Sequence, residues 1–503
     1  MKSTKNQSKQ SEKLFNAITD IREDYILEAT EHEFKQAAAK KPWTARRTFR
    51  YAGPIAAALC LSLLMGIFFW PAPVATSAYT IVEAAYPGMA AYPNEADYYN
   101  KSGDFDDDAY FADYELWMDS QEAQNRPEGF ADGIQPFVIS SAQQFLSGSD
   151  AENHIYCPMN IYMALTMLAE VTDGNSRTQI LDLLGHNDIL SLRSQANAIW
   201  NASYNDDGLY TSILSSSLWL REDIPYNTET MQILADHYYA SSYRGTMGSE
   251  EFDAKLQQWL NEHTNGRLTD SAGDQHFDEN GILALATAIT YRTKWSHAFS
   301  ESNTAPATFH AATGDLTCDF MNQTTSRTVY MGEHFSAVKQ YETNGSSMVF
   351  ILPGEDLTAS DLLTDPETMS FMLSDLTGID WENTINTCVN FSIPKFDVSS
   401  DFTLIEGLKE LGIQDVFSDV DSDFSPMTEY SQGVFVSQIN HSARVTIDEE
   451  GHEAAAFTVM TTDTSSAEEE SQPIDFVLDR PFLFVTLNPD GLPMFIGIVN
   501  QPI

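Results

Sequence analysis

Near its C-terminal end the chain reads Glu449-Glu450-Gly451-His452-Glu453-Ala454-Ala455-Ala456-Phe457-Thr458, and a polar run from Thr461 to Glu470 follows. A glycine and three successive alanines give this segment little bulk to bury, so it is soluble as a surface loop. In a β-strand alternate side chains share a face, and Ala454, Ala456 and Thr458 make one face small throughout. A segment that suits both environments has the property that a strand-inserting switch requires.

The globular part of the chain runs from about residue 133 to residue 503. Apolar residues three or four apart predict helices in its first half, for example over 137–146 and 160–169. Short β-branched or aromatic runs predict strands in its second half, for example over 348–352 and 482–487. Helices followed by strands, without a regular alternation of the two, indicate an α+β fold with an antiparallel or mixed sheet.

The chain is strongly acidic, with 27 Lys and Arg residues against 73 Asp and Glu residues and a formal net charge of −46. Such a charge repels phosphate and sulfate polyanions, so we expect neither nucleic acid nor heparin as a partner. The four cysteines form no CxxC pair, which excludes a disulfide-dense scaffold and a zinc ribbon. Whether Cys318 and Cys388 form a disulfide is open from the sequence alone.

The common sequence motifs of catalysis are absent. There is no GxSxG, GxGxxG or HExxH motif and no phosphate-binding GxxxxGK followed by Ser or Thr. Asp104, Asp106 and Asp108 have the spacing of a calcium loop, but Ala109 stands where its tight turn needs Gly. We therefore interpret residues 72–132 as an acidic spacer, and we predict that the protein is not an enzyme and has no cofactor or metal.

One apolar segment is long enough to cross a membrane, the 19 uncharged residues from Ala52 to Trp70. A helix of that length rises about 28 Å, close to the thickness of a hydrocarbon core. Basic residues precede the segment and none follows before Lys101. The positive-inside rule then predicts a cytoplasmic tail over residues 1–50, a single-pass anchor over 51–71 and an extracellular remainder. The alternative is secretion after cleavage of a leader near Ala78.

The segment at residues 449–458 resembles the reactive-loop hinge of the serpins, inhibitors that trap proteases by inserting a cleaved loop into their central sheet. Further stretches similar to serpin motifs follow in order along the chain: Gln257-Gln258-Trp259-Leu260, Ala288–Trp295, Phe391–Phe396 and Arg480-Pro481-Phe482. The matches cover residues 133–503, and the chain is identified as a membrane-anchored, bacterial-type member of the family. The resemblance implies a monomer with the serpin fold, which has a helix-rich N-terminal part, three β-sheets and a mobile reactive-centre loop.

The resemblance also implies a suicide-substrate mechanism. A target serine or cysteine protease attacks the loop and forms an acyl-enzyme, and insertion of the loop as a new strand carries the protease away before deacylation. Counting seventeen residues from Glu449 places the scissile bond at Ser465–Ser466 or a few positions downstream. Small residues there favour elastase- or subtilisin-like proteases. The alternative is a serpin-fold surface or binding protein without inhibitory function, which the larger hinge residues His452 and Phe457 favour.

The family pattern carries over to positions outside the loop. Trp295 and Lys395 match the breach at the top of the central sheet, where Lys395 pairs with Glu449. The shutter beneath the sheet corresponds to Cys157, Asn160, Thr287 and His441. His452 replaces the small polar residue that is usual in inhibitory members. We therefore expect desolvation of its imidazole during insertion to make inhibition slower and acid-sensitive.

Overall fold

The computed structural model describes residues 79–124, 126–148, 151–264, 276–279, 281–430, 433–452 and 473–502. The described residues belong to one compact unit. The predicted cytoplasmic tail and the predicted anchor over residues 51–71 lie outside the described residues, as do hinge residues 453–458 and the predicted scissile bond. Within the described part of the chain, no helix has the length and apolar character needed to cross a bilayer.

The helices concentrate in the first half of the described chain, as the periodicity of apolar residues predicts. Several begin at a capping side chain, such as Asp188, whose carboxylate accepts the N–H groups of Leu190 and Ser191. In chain order the helices are α1 (Asp107–Glu122), α2 (Gln135–Phe145), α3 (Pro158–Val171), α4 (Gly174–Leu184), α5 (Ile189–Ser203), α6 (Thr228–Tyr238), α7 (Glu250–Glu262), α8 (Ala359–Leu362), α9 (Pro366–Met372), α10 (Ser374–Thr377) and α11 (Ile405–Glu410).

Strands are more frequent in the second half, so the predicted α+β class is confirmed. In chain order they are β1 (Thr80–Val82), β2 (His154–Tyr156), β3 (Asn205–Asp206), β4 (Thr211–Arg221), β5 (Ala240–Gly245), β6 (Leu283–Lys294), β7 (Ala305–Ala311), β8 (Gly314–Met331), β9 (Phe335–Tyr341), β10 (Ser347–Pro353), β11 (Thr384–Pro394), β12 (Phe396–Thr403), β13 (Val436–Ile447), β14 (Gly451–His452), β15 (Ile474–Val477), β16 (Phe482–Leu487) and β17 (Pro493–Val499).

One sheet, which we call the main sheet, has the strand order β1-β5-β4-β6-β14-β13-β12, and β3 pairs with β4. Strand β6 is antiparallel to β4 along ten residue pairs, from Thr211 opposite Arg292 to Leu220 opposite Leu283. On its other side β6 is parallel to β13, but only between residues 283–286 and residues 436–440. The two central strands are therefore paired at one end of the sheet, and β14 lies between them at the other end.

Side chains alternate between the two faces of β6, as a strand requires. Leu283, Leu285 and Tyr291 belong to the large core beneath the sheet. Ala284 and Ala288 belong to a smaller cluster on the opposite face, where α7 contributes residues such as Trp259. A strand added beside β6 would therefore direct alternate side chains into the large core and toward α7.

The remaining strands form a second sheet with the order β15-β11-β8-β9-β10-β16-β17-β2, and β7 pairs with β8. The resemblance implied three sheets, whereas the described strands make two. The reason is β8, which is 18 residues long and continues from its pairing with β7 into its pairing with β9. Cys318 on β8 and Cys388 on β11 are both free thiols, which answers the question that the sequence left open.

The stretch interpreted as an acidic spacer, residues 72–132, packs on the domain where the structure describes it. Strand β1 extends the main sheet, with Thr80 opposite Tyr243 of β5. Helix α1 turns one side toward the domain, and its Trp117 indole donates a hydrogen bond to Asp207 (3.0 Å). The spacer interpretation was wrong for this part because the charges concealed an aromatic stripe. Asp106, a residue of the calcium-loop pattern, caps α1 by accepting the N–H of Ala109.

Candidate functional site

A tight turn over Asp448–Gly451 reverses the chain directly after β13. The Asp448 carboxylate accepts the backbone N–H groups of Glu450 (2.9 Å) and Gly451 (3.1 Å). The Asp448 N–H in turn donates to the Gly451 carbonyl (3.0 Å). An aspartate that accepts from the backbone two and three residues later is a common way to close such a turn. The turn directs the chain back between β6 and β13.

The first hinge residues already belong to the main sheet in the uncleaved chain. Gly451 lies opposite Lys294 and His452 lies opposite Thr293, both on β6. His452 also lies opposite Ile447 of β13. Both hinge residues are buried, and His452 is only 2% exposed. The hinge therefore begins as an inserted strand before any protease cuts it.

Gly451 has a steric reason to be glycine. A Cβ atom at this position would lie 2.4 Å from the Thr293 carbonyl oxygen and 2.6 Å from the Lys294 Cα. Both of these are backbone atoms of β6, which cannot move aside as a flexible side chain would. The absence of a side chain thus permits the close approach of the hinge to the central strand.

The two breach residues surround this turn. The Trp295 indole N–H donates to the Asp448 carbonyl (2.9 Å), and the Trp295 backbone N–H donates to the Glu450 carbonyl (2.9 Å). Lys395 Nζ lies 2.7 Å from Glu449 Oε2, and the Thr304 hydroxyl donates to Glu449 Oε1 (2.7 Å). Burial raises the pKa of Glu449, but its bonds to Lys395 and Thr304 prevail and hold that pKa below its ordinary value. Trp295, Lys395 and Glu449 thus meet at the Asp448–Gly451 turn.

His452 projects into the core beneath the sheet. Its ring centroid lies 5.1 Å from that of Tyr291 and 6.0 Å from that of Phe495. We expected insertion to desolvate this imidazole, but the structure shows it buried in the uncleaved chain. The reason is the short Asp448–Gly451 turn, which leaves His452 no path along the surface. Its desolvation is therefore not a barrier that arises only after cleavage.

One buried residue at this site escaped the sequence reasoning. Glu342 follows β9, far from the hinge along the chain, and its Oε1 lies 3.8 Å from His452 Nδ1. Its side chain is fully buried, and its Oε2 accepts hydrogen bonds from the hydroxyls of Tyr291 (2.8 Å) and Ser346. A lone glutamate in a polar turn carries no sequence motif, so only the fold reveals its position.

Three of the four shutter residues contact one another beneath the paired end of β6 and β13. The Cys157 N–H donates to His441 Nε2 (3.1 Å), and Cys157 Sγ caps α3 by accepting the Asn160 N–H (3.4 Å). Burial raises the pKa of the Cys157 thiol to about 12. Thr287 directly follows the last residue of β6 that pairs with β13, and it lies opposite Ser216 of β4. Asn160 is fully buried, and its side-chain amide has no hydrogen-bond partner among the described residues.

On its side toward β13, part of β6 pairs with neither β13 nor β14 among the described residues. We call this part of β6 the interval, and its length matches that of the hinge. Among the described residues, β6 pairs with β13 up to Ala286 and pairs with β14 from Thr293. The interval on β6 is therefore residues 287–292. Continuing the antiparallel register from His452 would set Glu453 opposite Arg292 and Thr458 opposite Thr287. The six hinge residues that follow His452 are as many as the interval holds, and Ala454 and Ala456 would face the core.

The chain matches a known family over most of its length. A family model described as "Serpin (serine protease inhibitor)" matches residues 132–502. Serpin-ZX of Arabidopsis thaliana is 29% identical over 401 residues, which are 77% of this chain and 100% of that protein. The plasma serine protease inhibitor of Mus musculus is 26% identical over 381 residues, which are 73% of this chain and 89% of that protein.

Solved structures give the same result for the fold. The native state of tengpin, a thermophilic serpin, superimposes with a TM-score of 0.66 at 23% identity and covers 75% of this chain and 95% of that one. Arabidopsis AtSerpin1 in its native stressed conformation superimposes with a TM-score of 0.64 at 27% identity, covering 74% of this chain and 98% of that one. The family match over residues 132–502 includes the residues of the breach and the shutter.

Proposed function

The chain belongs to the serpin family, and we propose that it inhibits a protease as a suicide substrate by inserting its cleaved loop into the main sheet. The observation that carries this proposal is the position of Gly451 and His452 between β6 and β13 in the uncleaved chain. They are the start of a strand whose continuation fits the adjoining interval. A loop attached to such a start gains backbone hydrogen bonds on both sides when cleavage frees its other end.

The register of β14 along β6 divides insertion into two stages. Residues 453–458 fill the interval beside residues 287–292 without disturbing a described pair of β6 and β13. From Val459 onward, the loop must separate the parallel pairs that end at Ala286 and Asn440. The three alanines and Thr458 of the first stage displace few neighbours. The second stage exchanges parallel pairs for antiparallel ones, which are slightly more stable per residue.

We propose an elastase- or subtilisin-like protease as the target. Small residues occupy the predicted scissile bond, Ser465–Ser466, and the chain has no Lys or Arg between Arg444 and Arg480. A shallow specificity pocket accepts a small residue, whereas a trypsin-like pocket requires a basic one. The acidic run Glu468–Glu470 favours a protease with a basic surface next to its cleft.

The test is incubation of the full chain with small-residue-specific serine proteases, followed by denaturing electrophoresis and mass spectrometry. Inhibition predicts an adduct that survives SDS and a cut at Ser465–Ser466 or a few residues downstream. The matched control is Ala454→Arg, which leaves the bait intact but puts a long cation on the core-facing side of the inserting strand. It should be cut at the same bond without an adduct. Cleavage of the unmodified chain without an adduct would contradict the proposal.

That contrary outcome would favour the second candidate function, a serpin-fold surface or binding protein that does not inhibit. The observation in its favour is His452, which is larger than the hinge residue usual in inhibitory serpins. Its burial beside Glu342 gives the intact hinge a fixed place that a non-inhibitory protein could also use. Under that function, cutting the loop would leave the thermal stability of the protein unchanged.

We also propose that the protein is anchored in the cell membrane with its serpin domain outside. The support is the uncharged segment Ala52–Trp70, which follows Arg46, Arg47 and Arg50 and precedes an acidic stretch. An anchored protein stays in the membrane fraction after alkaline extraction and loses its domain to external protease on intact cells. Secretion after leader cleavage predicts instead a soluble protein whose N-terminus lies near Tyr79.

A further inference from the structure

A carboxylate is buried directly beside the first inserted side chain of the hinge. The Glu342 side chain has no solvent exposure and that of His452 has 3%. Glu342 Oε2 accepts two hydrogen bonds, whereas Oε1 has no hydrogen-bond partner among the described residues. His452 Nδ1 likewise has no hydrogen-bond partner in the described part of the chain. These two atoms face each other across 3.8 Å.

Among the described residues, neither Glu342 Oε1 nor His452 Nδ1 has another hydrogen-bond partner. The rings of Tyr291 and Phe495 lie next to the imidazole, so apolar surface covers much of it. Within the described residues, no Lys or Arg lies within salt-bridge distance of Glu342, and Lys294, next to Thr293 on β6, is 3.8 Å from Glu450 instead. Burial and the Glu342 charge hold the pKa of Tyr291 well above its ordinary value, so its hydroxyl remains a donor to Glu342. A buried polar atom without a partner is strongly unfavourable, which favours an Nδ1–H directed at Oε1.

We propose that Glu342 is a positioning residue for the hinge, because its carboxylate binds the His452 imidazole and seats the hinge in the main sheet before cleavage. The contact joins the turn after β9 to β14, so it links the second sheet to the inserting segment. It opposes withdrawal of the hinge toward the surface. His452 is thus part of a device that starts insertion, and the bulk that distinguishes it from a small polar residue is what reaches Glu342.

The consequence for inhibition rests on the proposed function. His452 stays in place when the rest of the loop follows, so the contact is present before and after insertion. The contact therefore affects the rate at which insertion starts more than the free energy of the inserted state. A hinge already seated needs only to extend, and extension competes with deacylation of the protease. Loss of the contact should raise the fraction of inhibitor molecules that are cleaved without trapping a protease.

Hydrogen exchange of the intact chain tests the positioning role without any protease. We expect the amides of residues 451 and 452 to exchange about tenfold faster in Glu342→Gln and in His452→Leu, because each loses the contact between the buried carboxylate and the imidazole. The double variant should exchange no faster than the more affected single variant, since the two residues act through one contact. His452→Asn, whose amide nitrogen can occupy the place of Nδ1, should restore most of the protection.

Controls separate this role from general destabilisation. Glu355→Gln removes an exposed carboxylate after β10 and should leave hinge exchange unchanged. Exchange in β16, remote from the hinge, should be equal in all folded variants. Additive effects of Glu342→Gln and His452→Leu, or unchanged hinge exchange in both folded single variants, would overturn the proposal. If either variant fails to fold, His452→Asn and His452→Thr provide the same comparison, because only the asparagine reaches Glu342.

The protease assay then distinguishes this inference from the proposed function. Coupled hinge exchange together with a higher cleaved fraction in Glu342→Gln supports both. Coupled exchange in a protein that forms no adduct with any protease supports the positioning role and contradicts inhibition. Adduct formation with uncoupled exchange supports inhibition and overturns the role of Glu342.

Discussion

The Trp295 indole N–H donates a hydrogen bond to the Asp448 backbone carbonyl at 2.9 Å. Trp295 follows the last residue of β6 and Asp448 follows the last residue of β13, so this bond joins the ends of the two strands between which the hinge enters. Trp295 is 3% exposed, and its backbone N–H also binds the Glu450 carbonyl. The indole therefore fixes the turn from which β14 starts, and it stabilises the seated hinge through the backbone.

Trp295→Phe should loosen that turn while keeping an aromatic ring beneath it. We expect a loss of about 1 kcal/mol in the free energy of unfolding and faster amide exchange at residues 450–452. The matched control is Trp381→Phe, since the Trp381 indole donates a comparable bond to the Met331 carbonyl (3.0 Å) far from the hinge. Both variants should lose stability in urea unfolding, but only Trp295→Phe should expose the hinge. Equal hinge exchange in the two variants would contradict this role.

Gly451→Ala should expel the start of the hinge from the sheet. Its Cβ would lie 2.4 Å from the Thr293 carbonyl oxygen, so either β6 or the hinge must move. Overpacking of this kind destabilises by about 1–3 kcal/mol. We expect faster exchange at residues 451–452 and, in the protease assay, cleavage with little adduct. Gly88→Ala is the control, because no atom lies within 4 Å of the added Cβ. A fully protected hinge in Gly451→Ala would refute the steric argument.

The bond between Lys395 and Glu449 predicts a defined pH dependence. Burial raises the pKa of Glu449, and hydrogen bonds from Lys395 and Thr304 outweigh it, so the folded pKa lies below the ordinary value of 4.5. A carboxylate with a lowered folded pKa stabilises the protein fully above 4.5, and this stabilisation is lost as the pH falls through the folded pKa.

Glu449→Gln should therefore lower the free energy of unfolding by about 1 kcal/mol near neutral pH and by progressively less below pH 4.5. Urea unfolding of both proteins between pH 3 and pH 7 measures the difference. Glu406→Gln is the control, because Glu406 pairs with Lys409 on the exposed surface of α11 and should change stability by less than about 0.5 kcal/mol. A difference that grows toward acid pH would have the wrong sign and exclude this explanation.

Local sequence was sufficient for some parts of the site and insufficient for others. The start of the hinge and its contacts with Trp295 and Lys395 could be predicted because Glu449, Gly451, Trp295 and Lys395 lie in recognisable stretches of a known family. The face of His452 could be predicted from alternation, but its depth could not, since depth depends on where the Asp448 turn closes. Alternation gives the side of a strand and contains no information on how far the strand extends into a sheet.

The missed features depended on contacts between distant segments. Glu342 approaches His452 because the turn after β9 lies at the end of β6, where Glu342 pairs with Trp295. The acidic stretch before residue 132 was misjudged for a different reason. Its net charge suggested solvation, whereas Tyr110, Tyr114 and Trp117 recur at helical spacing and turn partly buried side chains inward. Composition averaged over a segment concealed an arrangement that periodicity alone would have revealed.

Cleavage of the reactive loop should stabilise the protein rather than weaken it. Once the bond near Ser465 is cut, residues 453–458 can enter beside residues 287–292 and form hydrogen bonds with both neighbouring strands. At about 1 kcal/mol for each hydrogen bond, this gain exceeds the loss of one exposed loop connection. The cleaved chain should therefore unfold at a higher temperature and a higher urea concentration than the intact chain. Ala454→Arg, cut at the same bond, isolates the contribution of insertion because its long cation cannot be buried in the core. Cleaved Ala454→Arg should unfold at no higher a temperature than uncleaved Ala454→Arg. If cleavage raised the unfolding temperature equally in the unmodified chain and in Ala454→Arg, the stabilisation would come from cleavage alone and not from a new strand.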